Sequence, residues 1–310
     1  MANKIPVAVI GAAGIGRIHI REFLAAGAEV VGILGSTPKS TKLRAEELSD
    51  EFNLKLRAFC NLEELINSGL KAVSICSPPE THLGILEQTL ESNLYVFCEK
   101  PLFWQSNRSK SFVSKTLTNL IKKADGRLLV NTSNAWFMET YKSLTPNYKK
   151  PKKFNLKFYT NGPYRKEGIG LDLLPHGLSF LLEMGCKGKI DTLKVEAKHN
   201  EFMCQFNLDG VHSNFDFREN ESCPKELSFV IDGIEVKRIQ KFENREYSVF
   251  LACELFENGI QHVVDPFRIY IDRFLQTICE GGSFSSLEDN ITRNVDLMTY
   301  ILEPNNRNFE

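Results

Sequence analysis

The chain has 310 residues, a length that suits two domains. Hydrophobic residues make up 42% and charged residues 25%, as in globular proteins, and the net charge of −1 argues against general binding to nucleic acid or to anionic membranes. No apolar stretch approaches the roughly 20 residues of a membrane span. The N-terminus lacks a signal-peptide pattern, so we expect a cytoplasmic protein. The eight cysteines form no C-x-x-C pair, which predicts reduced, buried thiols, and we find no metal-ligand spacing.

The first 130 residues alternate apolar strand candidates with amphipathic helix candidates. The strands lack period-two alternation, which predicts a parallel sheet covered by helices on both faces. Right-handed crossovers then make residues 1–132 a doubly wound Rossmann domain, the first part of an α/β protein. The predicted strands are Pro6–Ile10, Glu29–Leu34, Ala72–Cys76, Tyr95–Cys98 and Leu128–Asn131, and the predicted helices are Ile15–Ala26, Thr41–Glu51, Leu62–Asn67, Glu80–Glu91 and Asn107–Lys122.

Strand candidates in the second half alternate apolar and polar residues, and two Asp-Gly pairs mark hairpins. Residues 133–310 are therefore predicted to form an α+β domain with a largely antiparallel, open sheet. We expect Phe215 and Phe217 on a sheet face that a partner subunit covers, and Pro175 in the first turn of a helix. The predicted strands are Phe154–Tyr159, Leu193–Ala197, Phe202–Leu208, Ser213–Phe217, Leu227–Ile231 and Ile234–Ile239; the helices are Leu173–Met184, Phe267–Cys279 and Ser286–Leu302, the last two being candidates to pack back on the first domain.

A glycine-rich turn, Gly11-Ala12-Ala13-Gly14-Ile15-Gly16, follows the first strand and opens the first helix. Gly11 suits the tight turn, and Gly16 suits close packing of helix on strand. The helix N-terminus would offer N–H groups and a positive dipole to the phosphates of a dinucleotide. A plain connection between strand and helix is the alternative interpretation.

The end of the second strand favours NADP over NAD, which stays possible. No carboxylate lies between Glu29 and Glu46, where an acid would hold the ribose 2′-hydroxyl of NAD. Ser36, Thr37 and Lys39 instead suit a 2′-phosphate, because hydroxyls and a cation bind it and no carboxylate repels it. The alternative is a simple polar turn.

Two further motifs bear side chains suited to catalysis. Glu99-Lys100-Pro101 comes directly after a predicted strand, where Lys100 would stabilise a developing alkoxide; a surface lysine paired with Glu99 is the alternative. Asp172 and His176 are four residues apart, so a helix would place them on one face as an acid/base pair. A structural histidine is the alternative there.

These motifs, in this order and spacing, resemble the glucose–fructose oxidoreductase / inositol dehydrogenase family (Gfo/Idh/MocA). The resemblance implies NAD(P)-dependent hydride transfer on sugars, cyclitols or related carbonyls and alcohols, by a homodimer or homotetramer. It implies Lys100 as the active-site lysine, His176 as proton donor or acceptor, and Asp172 as a substrate-binding residue. The cofactor-binding residues it implies are Gly11, Ala13, Gly14, Ile15, Gly16, Ser36, Thr37, Lys39, Ser77, Pro78, His82, Glu99 and Lys100.

The sequence also departs from the family pattern. Ser179 stands where many members carry an acid, and Asn134 opens the segment where many carry an Arg-Phe pair, so Asn134 is expected to contact the substrate together with Lys100, Asp172 and His176. His19 is interpreted as structural. A non-catalytic dinucleotide-binding regulator on the same fold is the alternative function. The joint presence of Lys100, Asp172 and His176 favours an enzyme.

Overall fold

The computed structural model describes residues 4–105, 109–222, 224–243 and 246–304. Cys223 and the start of the predicted helix at Asn107 lie outside these residues. The strands are β1 (Pro6–Ile10), β2 (Glu29–Leu34), β3 (Arg57–Ala58), β4 (Ala72–Ile75), β5 (Tyr95–Cys98), β6 (Leu128–Val130), β7 (Lys153–Thr160), β8 (Ile190–Lys198), β9 (Glu201–Leu208), β10 (Val211–Glu219), β11 (Glu226–Ile231), β12 (Ile234–Glu243), β13 (Glu246–Cys253) and β14 (Ile260–Val263). The α-helices are α1 (Ile15–Ala25), α2 (Pro38–Phe52), α3 (Leu62–Ile66), α4 (Pro79–Glu91), α5 (Lys110–Ala124), α6 (Trp136–Leu144), α7 (Glu167–Glu183), α8 (Pro266–Cys279) and α9 (Glu288–Leu302).

The first of two compact units takes the chain up to Asn131 together with Phe267–Thr292. Its sheet has the order β3-β2-β1-β4-β5-β6, and all its strands are parallel. The central strands are buried on both faces, which is why they read as continuous apolar runs. The predicted doubly wound parallel sheet is thus confirmed, with the short β3 added.

Helix α8 belongs to this first unit. The ring of Phe267 lies 4.8 Å from that of His19, and Phe274 lies 5.4 Å from Phe97. Arg268 Nη2 donates to the carbonyl oxygen of Ala25 at 2.6 Å, at the end of α1. These contacts cover one side of the unit with an aromatic cluster.

The second unit takes Thr132–Pro266 and the chain from Arg293 onward. Its eight-stranded sheet has the order β14-β13-β12-β11-β7-β10-β9-β8. Among the described strands of this second sheet, only β7 and β10 pair in parallel. The predicted, largely antiparallel sheet is therefore confirmed. Helix α6, the edge strand β14 and its neighbour β13 were not predicted from the sequence.

Helix α7 begins at Glu167, not near Leu173, so Pro175 lies in its interior instead of its first turn. An interior proline costs roughly 3 kcal/mol in an isolated helix. Burial of nearly every residue from Ile169 to Leu182 offsets that cost. Gly170 and Gly177 bring the helix close to the sheet. A Cβ at Gly170, for example, would lie 2.6 Å from Phe202.

The expected exposure of Phe215 and Phe217 is wrong. Both side chains are fully buried because this face of β10 lies against α7; a Cβ at Gly177 would meet the Phe215 ring at 2.7 Å. The opposite face of β10 is polar, with Tyr159 Oη donating to Asp216 Oδ2 at 2.6 Å.

Exposed apolar side chains gather elsewhere in the second unit, toward the β12–β14 end of the sheet. Phe242 is 74% exposed, and Tyr247 and Ile260 are also exposed. Among the helices of the described ranges, none has the length and apolar character that a membrane crossing requires.

Candidate active site

The glycine-rich turn lies at the carboxyl edge of β1 in the first unit. Gly11 has φ of +84°, and a Cβ there would come within 2.6 Å of Ser77 N, so only glycine fits the turn. A Cβ at Gly16 would lie 2.0 Å from the carbonyl oxygen of Gly11. The two glycines therefore hold β1, the turn and α1 in close contact.

The N-terminus of α1 is open to a ligand. Its N-cap residue Gly14 provides no side chain, and the first turn contains no acidic residue. Ala13, Gly14 and Ile15 are all exposed. Uncapped N–H groups and the positive end of the helix dipole fit the pyrophosphate of a dinucleotide. The residues present therefore suit the nicotinamide cofactor that the sequence predicts.

A second helix N-terminus follows β2. Thr37 caps α2, accepting a hydrogen bond from Ser40 N at 3.2 Å, while Ser36 and Lys39 are exposed beside it. No acid lies in the first turn of α2. Hydroxyls, a lysine and a helix dipole thus stand together where the sequence predicts contact with a 2′-phosphate.

Lys100 is half-buried, directly after β5 at the same carboxyl edge of the sheet, and the Lys100–Pro101 peptide bond is cis. Ser77 and Pro78 follow the neighbouring strand β4 in the same way, and both have exposed surface. Carboxyl ends of parallel strands are the usual binding edge of such sheets.

His82 needs a different role from the predicted cofactor contact. Its side chain is fully buried, with Nε2 2.7 Å from Ser77 O and Nδ1 3.0 Å from Pro101 O. The ring connects the loop after β4 to the loop after β5. We therefore assign His82 to positioning the two loops that carry Ser77 and Lys100.

The sequence predicts Glu99 near the nicotinamide ribose. In the structure its side chain instead faces inward, like that of His82. Its Oε1 lies 2.8 Å from His19 Nε2 and also accepts from Asn131 Nδ2, and its Oε2 accepts from Lys100 N at 3.3 Å. His19 Nδ1 lies 2.7 Å from Ser74 Oγ. This buried polar cluster (His19, Ser74, Glu99 and Asn131) joins α1, β4 and the ends of β5 and β6.

The cluster contains a buried ion pair. Burial disfavours the charged imidazole of His19, but Cys76 and Glu99 outweigh that effect and raise its pKa to about 10. Burial alone would raise the pKa of Glu99, yet the hydrogen bond and charge of His19 lower it below its ordinary value. His19 is therefore structural, as predicted from the sequence, and its cation and the Glu99 anion stabilise each other behind Lys100.

Asp172 and His176 lie one turn apart on the same face of α7 in the second unit. His176 is 8% exposed, and Asp172 is half-buried. Asn134 Nδ2 lies 3.3 Å from His176 Nδ1, and the Phe158 ring packs 5.3 Å from the imidazole. Three predicted site residues of this unit, Asn134, Asp172 and His176, are thus brought together.

Asn294 of α9 is a neighbour that sequence reasoning missed. Its Nδ2 donates to Pro175 O at 2.8 Å and to Ser179 Oγ at 3.0 Å, and Ser179 Oγ donates to Pro175 O. These bonds fix the turn of α7 that precedes and follows His176. Asn294, Ser74 and Asn131 carried no local signal, because their roles depend on partners far along the chain.

Other reactive groups give no sign of a second centre. Within the described ranges, no cluster of three or more His, Cys, Asp or Glu side chains is arranged to hold a metal ion. Seven described cysteines are free thiols; five are buried as predicted, while Cys60 and Cys279 are exposed.

Comparison with known proteins agrees with this geometry. Residues 5–132 match the model of the Gfo/Idh/MocA oxidoreductase family, described as an NAD-binding Rossmann fold. An inositol 2-dehydrogenase from Rhizobium meliloti is 26% identical over 104 residues, covering 33% of this chain and 30% of the relative. A UDP-N-acetylglucosamine 3-dehydrogenase from Acidithiobacillus ferrooxidans is 28% identical over 105 residues, covering 34% and 31%. The chain thus matches about 30% of the length of these curated relatives.

Solved structures share the fold over nearly the whole chain. The structure of the UDP-N-acetylglucosamine 3-dehydrogenase from Acidithiobacillus ferrooxidans aligns with a TM-score of 0.69 at 17% identity, covering 97% of this chain and 100% of the other. A 3-ketoreductase from Actinomadura kijaniata, in complex with TDP-benzene and NADP, aligns with a TM-score of 0.69 at 16% identity, covering 96% of each chain. Residues 5–132 thus match the NAD-binding Rossmann unit of the Gfo/Idh/MocA oxidoreductase family, and the chain as a whole shares the fold of these solved structures.

Proposed function

We propose that the protein is an NAD(P)-dependent oxidoreductase that moves a hydride between nicotinamide and a sugar, cyclitol or related carbonyl or alcohol. In this proposal residues 1–132 bind the cofactor, and residues 133–310 bind the substrate and mediate assembly. One observation carries it: the uncapped, acid-free N-terminus of α1 lies at the same sheet edge as Lys100. The names of the relatives support a sugar-type substrate.

The nicotinamide supplies the hydride chemistry when it is bound. Lys100 would donate a hydrogen bond to the reacting oxygen and stabilise its developing negative charge. Asn134 Nδ2 lies 3.3 Å from Nδ1 of His176, a contact that orients the imidazole. On reduction the imidazolium of His176 would give a proton to the carbonyl oxygen and become neutral, and on oxidation the neutral imidazole would take the proton of the hydroxyl, while Asp172 orients the substrate.

Turnover of two variants tests these roles. After a panel of sugars, sugar acids and inositols has identified a substrate, Lys100→Met and His176→Ala should each lower turnover by at least ~10²-fold. The affinity for NADPH should change little, because the turn at Gly11–Gly16 is untouched. Lys71→Met, at the opposite edge of the sheet, and His212→Ala, at an exposed position of β10, are the matched controls.

The same experiment separates the enzyme from the regulator. A protein that binds NADPH but converts no compound of the panel would favour the non-catalytic sensor. Turnover of both variants at the wild-type rate would contradict the assigned roles of Lys100 and His176.

We propose NADP as the preferred cofactor, with NAD as the second choice. Ser36, Thr37 and Lys39 at the N-terminus of α2 support this preference. Fluorescence titration with NADPH and NADH at fixed salt tests it. Tighter binding of NADH by more than tenfold, about 1.4 kcal/mol, would contradict the proposal.

We also propose a homodimer or homotetramer. The exposed side chains of Phe242 and Ile260 support an apolar contact at the β12–β14 end of the sheet. Sedimentation at micromolar concentration should show an oligomer, and a stable monomer would contradict the proposal.

A further inference from the structure

Arg238 places a positive charge on the inner face of the second sheet. It lies on β12 opposite the fully buried Leu251 and two residues after the fully buried Val236. Its guanidinium carbon is 5.8 Å from the ring centroid of Phe158. The imidazole of His176 also packs against that ring, at 5.3 Å between centroids. The guanidinium and the proposed proton donor thus contact the same phenyl ring.

The charge of Arg238 has no ionic partner among the residues that the structure describes. No hydrogen bond or ion pair to its guanidinium occurs within those ranges, whereas Arg218 on the opposite face meets Asp216 at 3.2 Å. Burial lowers the pKa of Arg238, and Tyr247 and Asp265 offset that effect through space only. A half-buried cation beside apolar side chains and without a counter-ion is destabilising, and a bound anion would offset that effect.

The groups beside Arg238 also suit a ligand. Gln240 lies on the same face of β12, and its amide nitrogen donates to the hydroxyl of Tyr247. Amide and hydroxyl groups therefore lie beside the half-buried guanidinium.

We infer that Arg238 is an anion-binding residue of the substrate site, which receives a carboxylate or phosphate group carried by the sugar. The fork of the guanidinium binds either group with two parallel hydrogen bonds. Because the guanidinium and the imidazole of His176 lie 5.8 and 5.3 Å from the centroid of the same Phe158 ring, an anion held at Arg238 would leave the sugar carbons near the imidazole. This inference rests on the proposed function and narrows its substrate to acidic or phosphorylated sugars, including nucleotide-linked ones.

Calorimetric titration with two anionic probes tests the inference. Glucuronate supplies a carboxylate and UDP supplies phosphates; myo-inositol is the neutral comparison. At least one anionic probe should bind the wild-type protein, and Arg238→Gln should weaken that binding by about 10- to 100-fold. Arg238→Lys, which keeps the charge but loses the fork, should give an intermediate loss. Lys237→Gln removes the same charge from the opposite, exposed face of β12 and should change nothing.

The outcomes separate the two sources of the anion and the two proposals. Binding of glucuronate alone identifies a sugar acid, and binding of UDP alone identifies a phosphorylated sugar. Failure of both probes to bind, or equal binding by Arg238→Gln, would overturn the inference and leave the proposed function standing if NADPH still binds. Absence of NADPH binding would count against the proposed function itself.

Thermal melting without ligand provides a second readout. Arg238→Gln should melt no lower than the wild-type protein, because it removes a half-buried charge that no described residue pairs. A much lower melting temperature, or failure to fold, would show that Arg238 serves the fold and would overturn the inference.

Discussion

The two units of this protein surround a charge that packs against apolar side chains in opposite ways. In the first unit, the His19 cation and the Glu99 anion lie 2.8 Å apart. Ser74 lies within hydrogen-bond distance of His19, and Asn131 donates a hydrogen bond to Glu99. In the second unit, Arg238 meets an aromatic ring and, among the described residues, no carboxylate within ion-pair distance. A paired buried charge stabilises one folded arrangement, whereas the unpaired, half-buried charge of Arg238 is the basis for the proposed anion site.

Breaking the pair in the first unit should have the largest effect. Glu99→Leu leaves the His19 cation buried without its partner, so we expect a loss of about 3–5 kcal/mol in the free energy of unfolding, measured by urea denaturation. The double variant His19→Leu/Glu99→Leu should recover part of that loss. Glu91→Leu, which removes an exposed ion pair with Lys123, is the control and should cost less than about 1 kcal/mol. Equal losses for Glu99→Leu and Glu91→Leu would show that burial adds nothing to the pair.

The pH dependence of stability sharpens the same comparison. The pKa of His19 is raised from 6.5 to about 10, so its contribution is full below pH 6.5 and is lost as the pH rises toward 10. The pKa of Glu99 is lowered from 4.5, so its contribution is present above pH 4.5 and is lost as the pH falls. The stability difference between the wild-type protein and the double variant should thus be largest between pH 4.5 and 6.5. A difference that stays constant from pH 4 to pH 10 would contradict a charged pair.

Asn294→Ala should have a smaller effect, in the second unit. It removes two hydrogen bonds at the proline inside α7 and should cost about 1–3 kcal/mol. Because the same turn carries His176, turnover should fall while the affinity for NADPH stays unchanged. Asn290→Ala, one turn earlier on α9, is the control. Loss of stability with unchanged turnover would show that Asn294 does not position His176.

Ser36→Asp should have the smallest effect, at the exposed edge of the first unit. A carboxylate there repels a 2′-phosphate and accepts from a 2′-hydroxyl, so NADPH should bind about tenfold more weakly relative to NADH, or about 1.4 kcal/mol. Ser92→Asp, at the end of α4, is the control in the same titrations. An unchanged ratio of the two affinities would remove the basis for NADP preference at α2.

The sequence by itself determined the first unit and the position of its reactive groups. Apolar runs such as Pro6–Ile10 predict buried parallel strands, and the chemistry of such a sheet lies in the loop after each strand. Gly11, Ser36 and Lys100 could therefore be placed at one edge from local patterns alone. The alternation of β7, β9 and β10 likewise predicted the antiparallel sheet, though the sequence assigned Phe215 to the wrong face.

Only the tertiary structure decided which groups are paired. His82 and Glu99 follow strands as cofactor-binding residues do, yet their side chains turn inward because backbone carbonyls and His19 satisfy them there. Pro175 stays inside α7 because packing on both sides of the helix outweighs its local cost. The strand pattern does not distinguish Arg238 from its neighbours. Its proposed role depends on Phe158 and His176, which lie far away in sequence. The partners of a buried charge are contacts between distant segments, and no local pattern encodes them.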